Sequence, residues 1–160
     1  MIRPVSPQDL PALKSVIDAV GLFPSAMLDD MLTGWFAQGG NGPELWLADI
    51  ADGAAVGVAY CAPERMTNGT HNLLLIAVRP DRQKRGRGAA LVEAVERAVA
   101  GRGGRLLLVE TSGLAGFEAT RAFYRGRGYA DEARIRDFYD AGEDKIVFAK
   151  PLTARPAGAE

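Results

Sequence analysis

The sequence predicts an α/β (α+β) fold, in which one mixed β-sheet of about seven strands carries about four helices on its two faces. Strand and helix patterns alternate along the 160 residues, without an internal repeat. Two continuous apolar runs, NLLLIAV (72–78) and RLLLVE (105–110), are typical of strands buried on both faces, and a helical pattern separates them. Such a strand–helix–strand unit makes its strands parallel, whereas predicted hairpins on either side make theirs antiparallel.

The N-terminal quarter of the chain predicts a short strand followed by two helices. Ser6 is a suitable N-cap and Pro7 a suitable first residue for the first helix. Apolar residues keep helical spacing from there to Gly21. The same spacing returns in PSAMLDDMLTGWF (24–36), and GGNG (39–42) ends it.

The next segment predicts a hairpin. ELWLADI (44–50) and AAVGVAYCA (54–62) read as two strands, and the Asp52-Gly53 pair between them is typical of a tight turn. The buried-type strand 72–78 follows, so three strands stand in succession.

The second half of the chain predicts two more helices and three strands. A helical stripe begins at Gly88 and GRGG (101–104) ends it, after which 105–110 is the next strand. FEATRAFYRGRGY (117–129) reads as a helix that ends at Gly126 or Gly128.

The chain closes on a further hairpin, in which DAGE joins ARIRDFY (133–139) to DKIVFAKPL (144–152). We therefore predict one domain over residues 1–152. Residues 153–160 carry no pattern, and we predict that this tail is frayed.

Composition excludes several classes of protein. Apolar residues make up 48% and charged residues 24% of the chain, as in ordinary globular proteins. A formal net charge of -1 gives no overall bias towards nucleic acid or membrane surfaces. A single cysteine, Cys61, excludes an internal disulfide framework and fits a reducing compartment. No apolar run reaches the ~20 residues of a membrane span, and the N-terminus lacks a signal-peptide core, so we expect a cytoplasmic protein.

Positive charge is concentrated in VRPDRQKRGRGAAL (78–91), at the start of a helix. Five cations against one acid fall between Arg79 and Gly88. A helix N-terminus leaves backbone N–H groups unpaired and carries partial positive charge, and glycines such as Gly86 and Gly88 let a ligand approach the backbone. The pattern favours a diphosphate site. The alternative is a solvated basic helix start that only aids solubility.

Two familiar phosphate motifs do not fit this stretch. The P-loop requires Gly-Lys-Ser/Thr, and the chain has Gly88-Ala89-Ala90. The dinucleotide fingerprint requires a third small residue where Leu91 stands, and a shorter turn after the strand. The arginine–glycine segments resemble RNA-binding repeats, but strands and helices separate them, so we expect no nucleic-acid partner.

The strand NLLLIAV followed by RPDRQKRGRGAAL resembles the acetyl-CoA-binding signature of the GNAT N-acetyltransferases, Gln/Arg-x-x-Gly-x-Gly/Ala, at Gln83, Gly86 and Gly88. ATRAFYRGRGY (119–129) is similar to the family's Ala-x-x-x-Phe-Tyr-x-x-x-Gly-Phe helix, with Tyr129 for the final Phe. The resemblance covers about residues 2–152. It implies a GNAT fold with a splay between strands 4 and 5.

The resemblance also implies acetyl-CoA as co-substrate. The pyrophosphate would lie on the backbone amides of the signature turn, and the pantetheine arm would pair with the end of the fourth strand. The cofactor-binding residues implied are Ile76, Ala77, Val78, Gln83, Lys84, Arg85, Gly86, Arg87, Gly88 and Ala89.

The chemistry implied is acetyl transfer by direct attack of an amine in a ternary complex, since no nucleophile arrangement of the Ser-His-Asp or Cys-His kind is evident. Tyr124 aligns with the tyrosine that many relatives use as general acid; the alternative is packing beside Phe123. Glu110, at the end of LLVE, resembles the strand glutamate of ribosomal-protein N-terminal acetyltransferases and is the candidate general base. It could instead hydrogen-bond nearby backbone, which leaves His71 and Glu64 as further candidates.

One position departs from the family. Many relatives carry a cofactor-binding Asn seven residues before the tyrosine, where this chain has Phe117. Thr111 or Ser112 could substitute for it. We expect no metal, because the sequence contains no metal-ligand cluster.

The resulting expectation is an N-acetyltransferase acting on a small-molecule or peptide amine, with no membrane partner and with a homodimer left open. The alternative is a catalytically idle GNAT-fold module that binds acyl-CoA. The acceptor should lie near residues 21–30, the loop 63–71 and the last hairpin around Phe138 and Tyr139. Acids at Asp29, Asp30, Glu64 and Asp137 would favour a cationic amine, or are solvated loop charges.

Overall fold

Seven strands and four α-helices make up residues 1–152, which are the residues that the computed structural model describes; the tail predicted at 153–160 lies outside them. Single turns of 3₁₀-helix occur at Pro7–Asp9, Pro80–Arg82 and Ala115–Phe117. The elements are β1 (Ile2–Pro4), α1 (Leu10–Val20), α2 (Met27–Ala37), β2 (Leu45–Ala51), β3 (Ala54–Pro63), β4 (Thr70–Val78), α3 (Arg87–Gly101), β5 (Leu106–Ser112), α4 (Glu118–Gly126), β6 (Ala130–Asp140) and β7 (Glu143–Pro151).

The strands form a mixed sheet in the order β1-β2-β3-β4-β5-β7-β6, which confirms the predicted fold class. β4 and β5 pair in parallel, and the neighbours of β2 and of β7 are antiparallel. The parallel pairing runs from Thr70 opposite Leu106 to Leu73 opposite Val109 and ends there, although both strands continue. Beyond that point the two strands splay, as expected for a GNAT fold.

The chain forms two compact units, and the first comprises residues 1–63 and 74–98. Its core lies between helices α1 and α2 and one face of strands β2–β4, and it is filled mainly by aliphatic side chains and two tryptophans. The Trp35 indole N–H donates to the Val5 carbonyl at 2.8 Å, so this side chain is buried with its polar atom satisfied. The buried members are Val5, Leu13, Val16, Ile17, Leu28, Leu32, Trp35, Trp46, Ala48, Ala55, Val58, Leu75 and Ala77.

Both ends of the first helical segment follow the predicted capping. At its start, the Ser6 backbone N–H donates to the Asp9 carboxylate at 2.8 Å. Arg3 adds two hydrogen bonds of 2.8 Å to the same buried carboxylate, and these hold the pKa of Asp9 below its usual range. At its end, Gly21 adopts the left-handed conformation with φ +77°.

The second unit comprises residues 64–73 and the described chain from residue 99 onward. β5 lies between the first part of β4 and β7, and α4 packs on this part of the sheet through Tyr124. The Tyr124 ring lies 6.0 Å from the Phe148 ring and 5.6 Å from the Tyr129 ring, between centroids. These contacts fix α4 against β7.

β6 is the outermost strand of the sheet, and every one of its residues is exposed. Its pairing with β7 is interrupted between Ile135 and Asp140, where Asp137 has φ +53°. Six of its eleven residues are charged, so this edge of the sheet is both irregular and polar.

Several element boundaries differ from the predictions by a few residues. β4 begins at Thr70, two residues before the predicted run, because Thr70 and His71 pair with Leu106 and Leu107 of β5. β5 runs to Ser112 because β7 continues to pair with it, so the expectation that Glu110 ends this strand is wrong. α4 ends at Gly126, the first of the two predicted glycines.

Candidate active site

The turn between β4 and α3 exposes a row of backbone amides. Among residues 1–152, no acceptor is found for the N–H groups from Lys84 through Ala89. The next N–H, that of Ala90, closes the first helical turn onto the Gly86 carbonyl at 3.0 Å. Gln83, which was predicted to belong to the row, instead donates its N–H to the Pro80 carbonyl at 3.3 Å. The open donors therefore begin at Lys84.

The backbone of this turn twice enters the left-handed region, at Lys84 (φ +59°) and Gly86 (φ +77°). Nothing lies within 4 Å of the position that a Cβ of Gly86 would take, so the space over the turn is open. A cavity of about 480 Å³ adjoins it, and Arg85, Gly86, Arg87 and Arg97 are among the lining residues. Consecutive amides at a helix N-terminus beside cationic side chains form an anion site.

The side chain of Gln83 anchors the turn to the preceding strand. Its Nε2 atom donates to the carbonyl of Val78, the last residue of β4, at 2.8 Å. This bond ties the start of the turn to the end of β4. The Val78 carbonyl is correspondingly engaged within the protein.

Most of the positive charge in the turn is locally neutralised. Arg79 pairs with Asp81 at 2.6 Å. Arg82 pairs with Asp52 of the β2–β3 turn at 2.6 Å, which lowers the pKa of that carboxyl.

Arg87 is neutralised by a buried acid. Its guanidinium lies 2.7 Å from Asp49 on β2. Among residues 1–152, Lys84 and Arg85 have neither an ion pair nor a hydrogen bond from their side chains. The five cations of the turn therefore contribute about two uncompensated charges, and both belong to residues of the open amide row.

In the second unit, Asn72 joins two carboxylates. The buried side chain of Asn72, 3% exposed, donates from Nδ2 to Glu64 Oε1 and to Glu110 Oε1, each at 3.0 Å. Glu64 and Glu110 are thereby held close together although they lie 46 positions apart in the chain. Neither predicted alternative for Glu110, a free base or a backbone acceptor, anticipated this arrangement.

The other oxygen of Glu110 meets a lysine. Lys145 of β7 places Nζ 2.9 Å from Glu110 Oε2 and 4.1 Å from the centroid of the Phe138 ring. Tyr139, which follows Phe138, has a raised pKa, first because its hydroxyl is partly desolvated and then because of the negative charge of Glu110. Residues of the last hairpin therefore gather around Glu110.

Tyr124 is deeply buried, with 3% of its surface exposed. Burial raises the pKa of Tyr124 to about 12. Among residues 1–152, no hydrogen bond is found for its hydroxyl. Tyr124 also packs edge-on against Phe123, with ring centroids 5.2 Å apart, so the packing contact that was its alternative role is present.

The remaining candidates are placed away from this cluster or serve structural contacts. His71 precedes Asn72 on β4, so its side chain points to the opposite face of the sheet. Cys61 is buried. Phe117 is exposed, and the Ser112 hydroxyl accepts the Leu114 N–H at 3.1 Å. Asp29 pairs with Lys14 at 2.6 Å, and Asp137 accepts the Gly142 N–H within the last hairpin.

The sequence did not predict three residues whose contacts shape the candidate site: Asn72, Lys145 and Arg121. Asn72 stands inside an apolar run, and a polar residue in a buried strand is the signal that could have identified it. Nothing in the sequence around Lys145 indicates that it contacts Glu110. Arg121 is buried on α4 and donates to the Ser112 and Leu114 carbonyls at 2.7 and 2.9 Å, so it fixes the segment between β5 and α4.

The family model of the acetyltransferase (GNAT) domain matches residues 41–131, more than half of the chain. The chain belongs to the GNAT family of acetyltransferases. No curated protein matches the sequence. A crystal structure assigned to the GNAT family, from Desulfovibrio desulfuricans, is 33% identical with TM-score 0.88, and the alignment covers 96% of this chain and 99% of that one.

Two further solved structures resemble this GNAT protein over its whole length. The ribosomal-protein-S18-alanine N-acetyltransferase of Escherichia coli is 25% identical with TM-score 0.77, covering 100% of this chain and 98% of that one. An aminoglycoside 6'-N-acetyltransferase complexed with coenzyme A is 19% identical with TM-score 0.79, covering 98% and 99%; it shows the shared fold. Within residues 1–152, no helix is long and apolar enough to cross a membrane.

Proposed function

We propose that this GNAT protein transfers the acetyl group of acetyl-CoA to a primary amine, by direct attack of that amine in a ternary complex. The observation that carries the proposal is the row of open amides from Lys84 through Ala89. Unpaired backbone donors in such number are costly unless solvent or a ligand satisfies them, and the charged oxygens of a diphosphate match them.

The residues present fit acetyl-CoA. The amides 84–89 would hold the pyrophosphate, and Lys84 and Arg85 would add charge at the same place. Gly86 keeps the approach open, since no protein atom lies near its Cβ position. The end of β4, at Ile76, Ala77 and Val78, would pair with the pantetheine arm where β4 and β5 no longer pair. When bound, acetyl-CoA supplies an acetyl thioester that is activated towards amines.

Glu110 is the group that we assign to proton removal from the acceptor amine. A general base must lie within hydrogen-bond distance of the proton that it takes. Asn72 fixes one Glu110 oxygen, which leaves the second oxygen to meet an amine, and Lys145 occupies that position at 2.9 Å. Glu64, held by the same amide, adds a second negative charge, so the pair favours a cationic acceptor.

Tyr124 is the group that we assign to the leaving sulfur. Its pKa of about 12 keeps the phenol protonated at every physiological pH. Full transfer of that proton to a thiolate of pKa ~8.5 is uphill by about 5 kcal/mol. Tyr124 therefore acts best by donating a hydrogen bond that stabilises the developing thiolate, with the final proton taken from another source.

The class of acceptor is tested with a panel of primary amines. Two similar structures are named for an aminoglycoside and for the alanine of a ribosomal protein, so the panel includes an aminoglycoside and a peptide with N-terminal alanine. Amino acids and small polyamines complete it. Release of free CoA thiol and the mass of the acetylated product are measured for each.

An enzyme releases CoA with at least one amine, and Tyr124→Phe slows that release. The second candidate function is that of a GNAT-fold module that binds acyl-CoA without catalysing a reaction. It predicts acetyl-CoA binding by calorimetry but no thiol release with any amine of the panel, and this result would refute catalysis. Absence of acetyl-CoA binding would refute both readings.

A further inference from the structure

Among residues 1–152, Lys145 is the lysine whose ammonium group is found facing Glu110. Its Nζ lies 2.9 Å from Glu110 Oε2, and the side chain is only 12% exposed. The Phe138 ring covers the ammonium at 4.1 Å, a cation–π distance. A carboxylate and an aromatic face together form a site for a primary ammonium ion, and here the protein's own lysine fills it.

The distance of 2.9 Å has a chemical meaning if Glu110 is the general base. The base must lie ~2.6–3.2 Å from the atom that carries the proton. Lys145 Nζ meets that condition without any substrate present, so the nitrogen stands where the nitrogen of an acceptor amine would stand. Two other lysines are engaged elsewhere: Lys14 pairs with Asp29, and Lys150 lies over the Tyr129 ring.

We propose that this protein acetylates its own Lys145, with acetyl-CoA as donor and Glu110 as base. The inference rests on the proposed function, because it uses the same base and the same donor. Lys145 is then a modification site as well as an ion-pair partner.

The step balances as an acyl transfer. The Lys145 ammonium gives one proton to the Glu110 carboxylate, and the freed electron pair forms the N–C bond to the acetyl carbonyl carbon. The C–S bond breaks and its electron pair leaves with the sulfur of CoA. The second proton lost from nitrogen goes to that sulfur, and Glu110 returns its proton to solvent. The products are acetyl-lysine, CoA thiol and one proton.

Acetylation would change the charge of the site that receives the acceptor. The amide of acetyl-lysine carries no positive charge, so Glu110 Oε2 would lose its ion pair with Lys145. Glu64 and Glu110 would then present two uncompensated negative charges to an incoming amine. Self-acetylation would therefore remove the positive charge that pairs with the base and strengthen the attraction of Glu64 and Glu110 for a cationic acceptor.

Non-enzymatic acetylation by acetyl-CoA in solution could produce the same modification. The exposure of each lysine side chain distinguishes it from self-acetylation. Solution chemistry favours accessible amines, and Lys84 is exposed whereas Lys145 is largely covered. Lys14 is a matched control, because it too is paired with a carboxylate, Asp29, but its side chain is 34% exposed.

The test uses purified protein and acetyl-CoA carrying a ¹³C-labelled acetyl group, without acceptor, followed by digestion and mass spectrometry of all four lysines over time. We expect label at Lys145 at least ~10-fold faster than at Lys84 or Lys14. The rate should not change over a tenfold range of protein concentration, which marks an intramolecular step. Glu110→Gln should slow it by about 100-fold, the usual contribution of a general base.

Folding of the Glu110→Gln protein is checked by its thermal unfolding, and Tyr124→Phe is a second variant that should also slow labelling. Label that follows exposure, with Lys84 first and Lys145 last, would overturn the inference. Equal labelling of Lys145 in wild type and Glu110→Gln would overturn it as well. If the amine panel is turned over while Lys145 stays unlabelled, self-acetylation fails and the proposed function stands; if neither reacts, both fail.

Discussion

Replacing Gly86 by alanine separates the contribution of the turn backbone to cofactor binding from that of its cationic side chains. Gly86 has φ +77°, and no atom lies within 4 Å of the Cβ that alanine would add. The only folding cost is therefore that of a left-handed L-residue, about 1–2 kcal/mol. For a chain of this length the cost corresponds to a fall in Tm of about 2–8 °C.

Gly21 supplies the matched control, because it also has φ +77° with no atom within 4 Å of the added Cβ. Gly21→Ala should lower Tm by a similar amount. It lies at the end of α1, so it should leave acetyl-CoA binding unchanged.

Gly86→Ala should in addition weaken the binding of acetyl-CoA. A hydrogen bond from an amide to a charged phosphate oxygen contributes ~1.5–3 kcal/mol, and a methyl group over the turn would displace at least one. We therefore expect Kd to rise about 10- to 150-fold, measured by isothermal titration calorimetry. If Gly86→Ala binds acetyl-CoA as tightly as Gly21→Ala does, the pyrophosphate does not lie on this turn.

The remaining predictions concern charge, the phenol and acid stability. The double substitution Lys84→Ala and Arg85→Ala should raise the Kd of acetyl-CoA about 3- to 10-fold in calorimetry and make binding less sensitive to salt. Arg82→Ala removes a charge that is already paired, so it should change Kd less than about twofold. Equal effects of the two changes would contradict the charge assignment. Tyr124→Phe should lower kcat about 100-fold. Because the pKa of Tyr124 is about 12, the phenol stays protonated, and the wild-type kcat should not fall between neutral pH and about pH 10 through ionisation of Tyr124. If the wild-type kcat does fall in that range and the fall is absent in Tyr124→Phe, the raised pKa is refuted. The pKa of Asp9 is lowered on folding, so its stabilisation is present above the unfolded value of ~3.9 and is lost as pH falls through the folded value. Asp9→Asn should cost about 1–2 kcal/mol in urea unfolding at pH 7, and the difference from wild type should narrow towards pH 3; a constant difference would contradict the ion-pair explanation.

The elements were predictable because their signals are local. Ser6 and Pro7 mark the start of the first helical segment, Gly21 ends α1, and Asp52-Gly53 turns the hairpin, each through its own backbone preference. The length of β5 was not predictable in this way. Thr111 and Ser112 belong to the strand because β7 pairs with them, and that partner lies more than 30 positions away.

The candidate site was predictable as a location and not as a set of contacts. The open turn follows from two glycines at a helix start. The neutralisation of Arg82 by Asp52 and of Arg87 by Asp49 depends on residues 30 and 38 positions away, which charge counting within one stretch does not detect. The contacts of Asn72 and Lys145 with Glu110 have the same origin, since topology alone brings these strands together.

The exposed outer strand, β6, has a consequence for how this protein behaves at high concentration. A free sheet edge is a template on which another chain can add a strand. In β6 the interrupted pairing around Asp137 bends the edge, and Arg134 and Arg136 place charge along it. An incoming strand would have to accommodate both the irregular spacing of donors and the burial of these charges. The edge is therefore protected against aggregation by its own sequence, and substitutions that made it regular and uncharged would remove that protection.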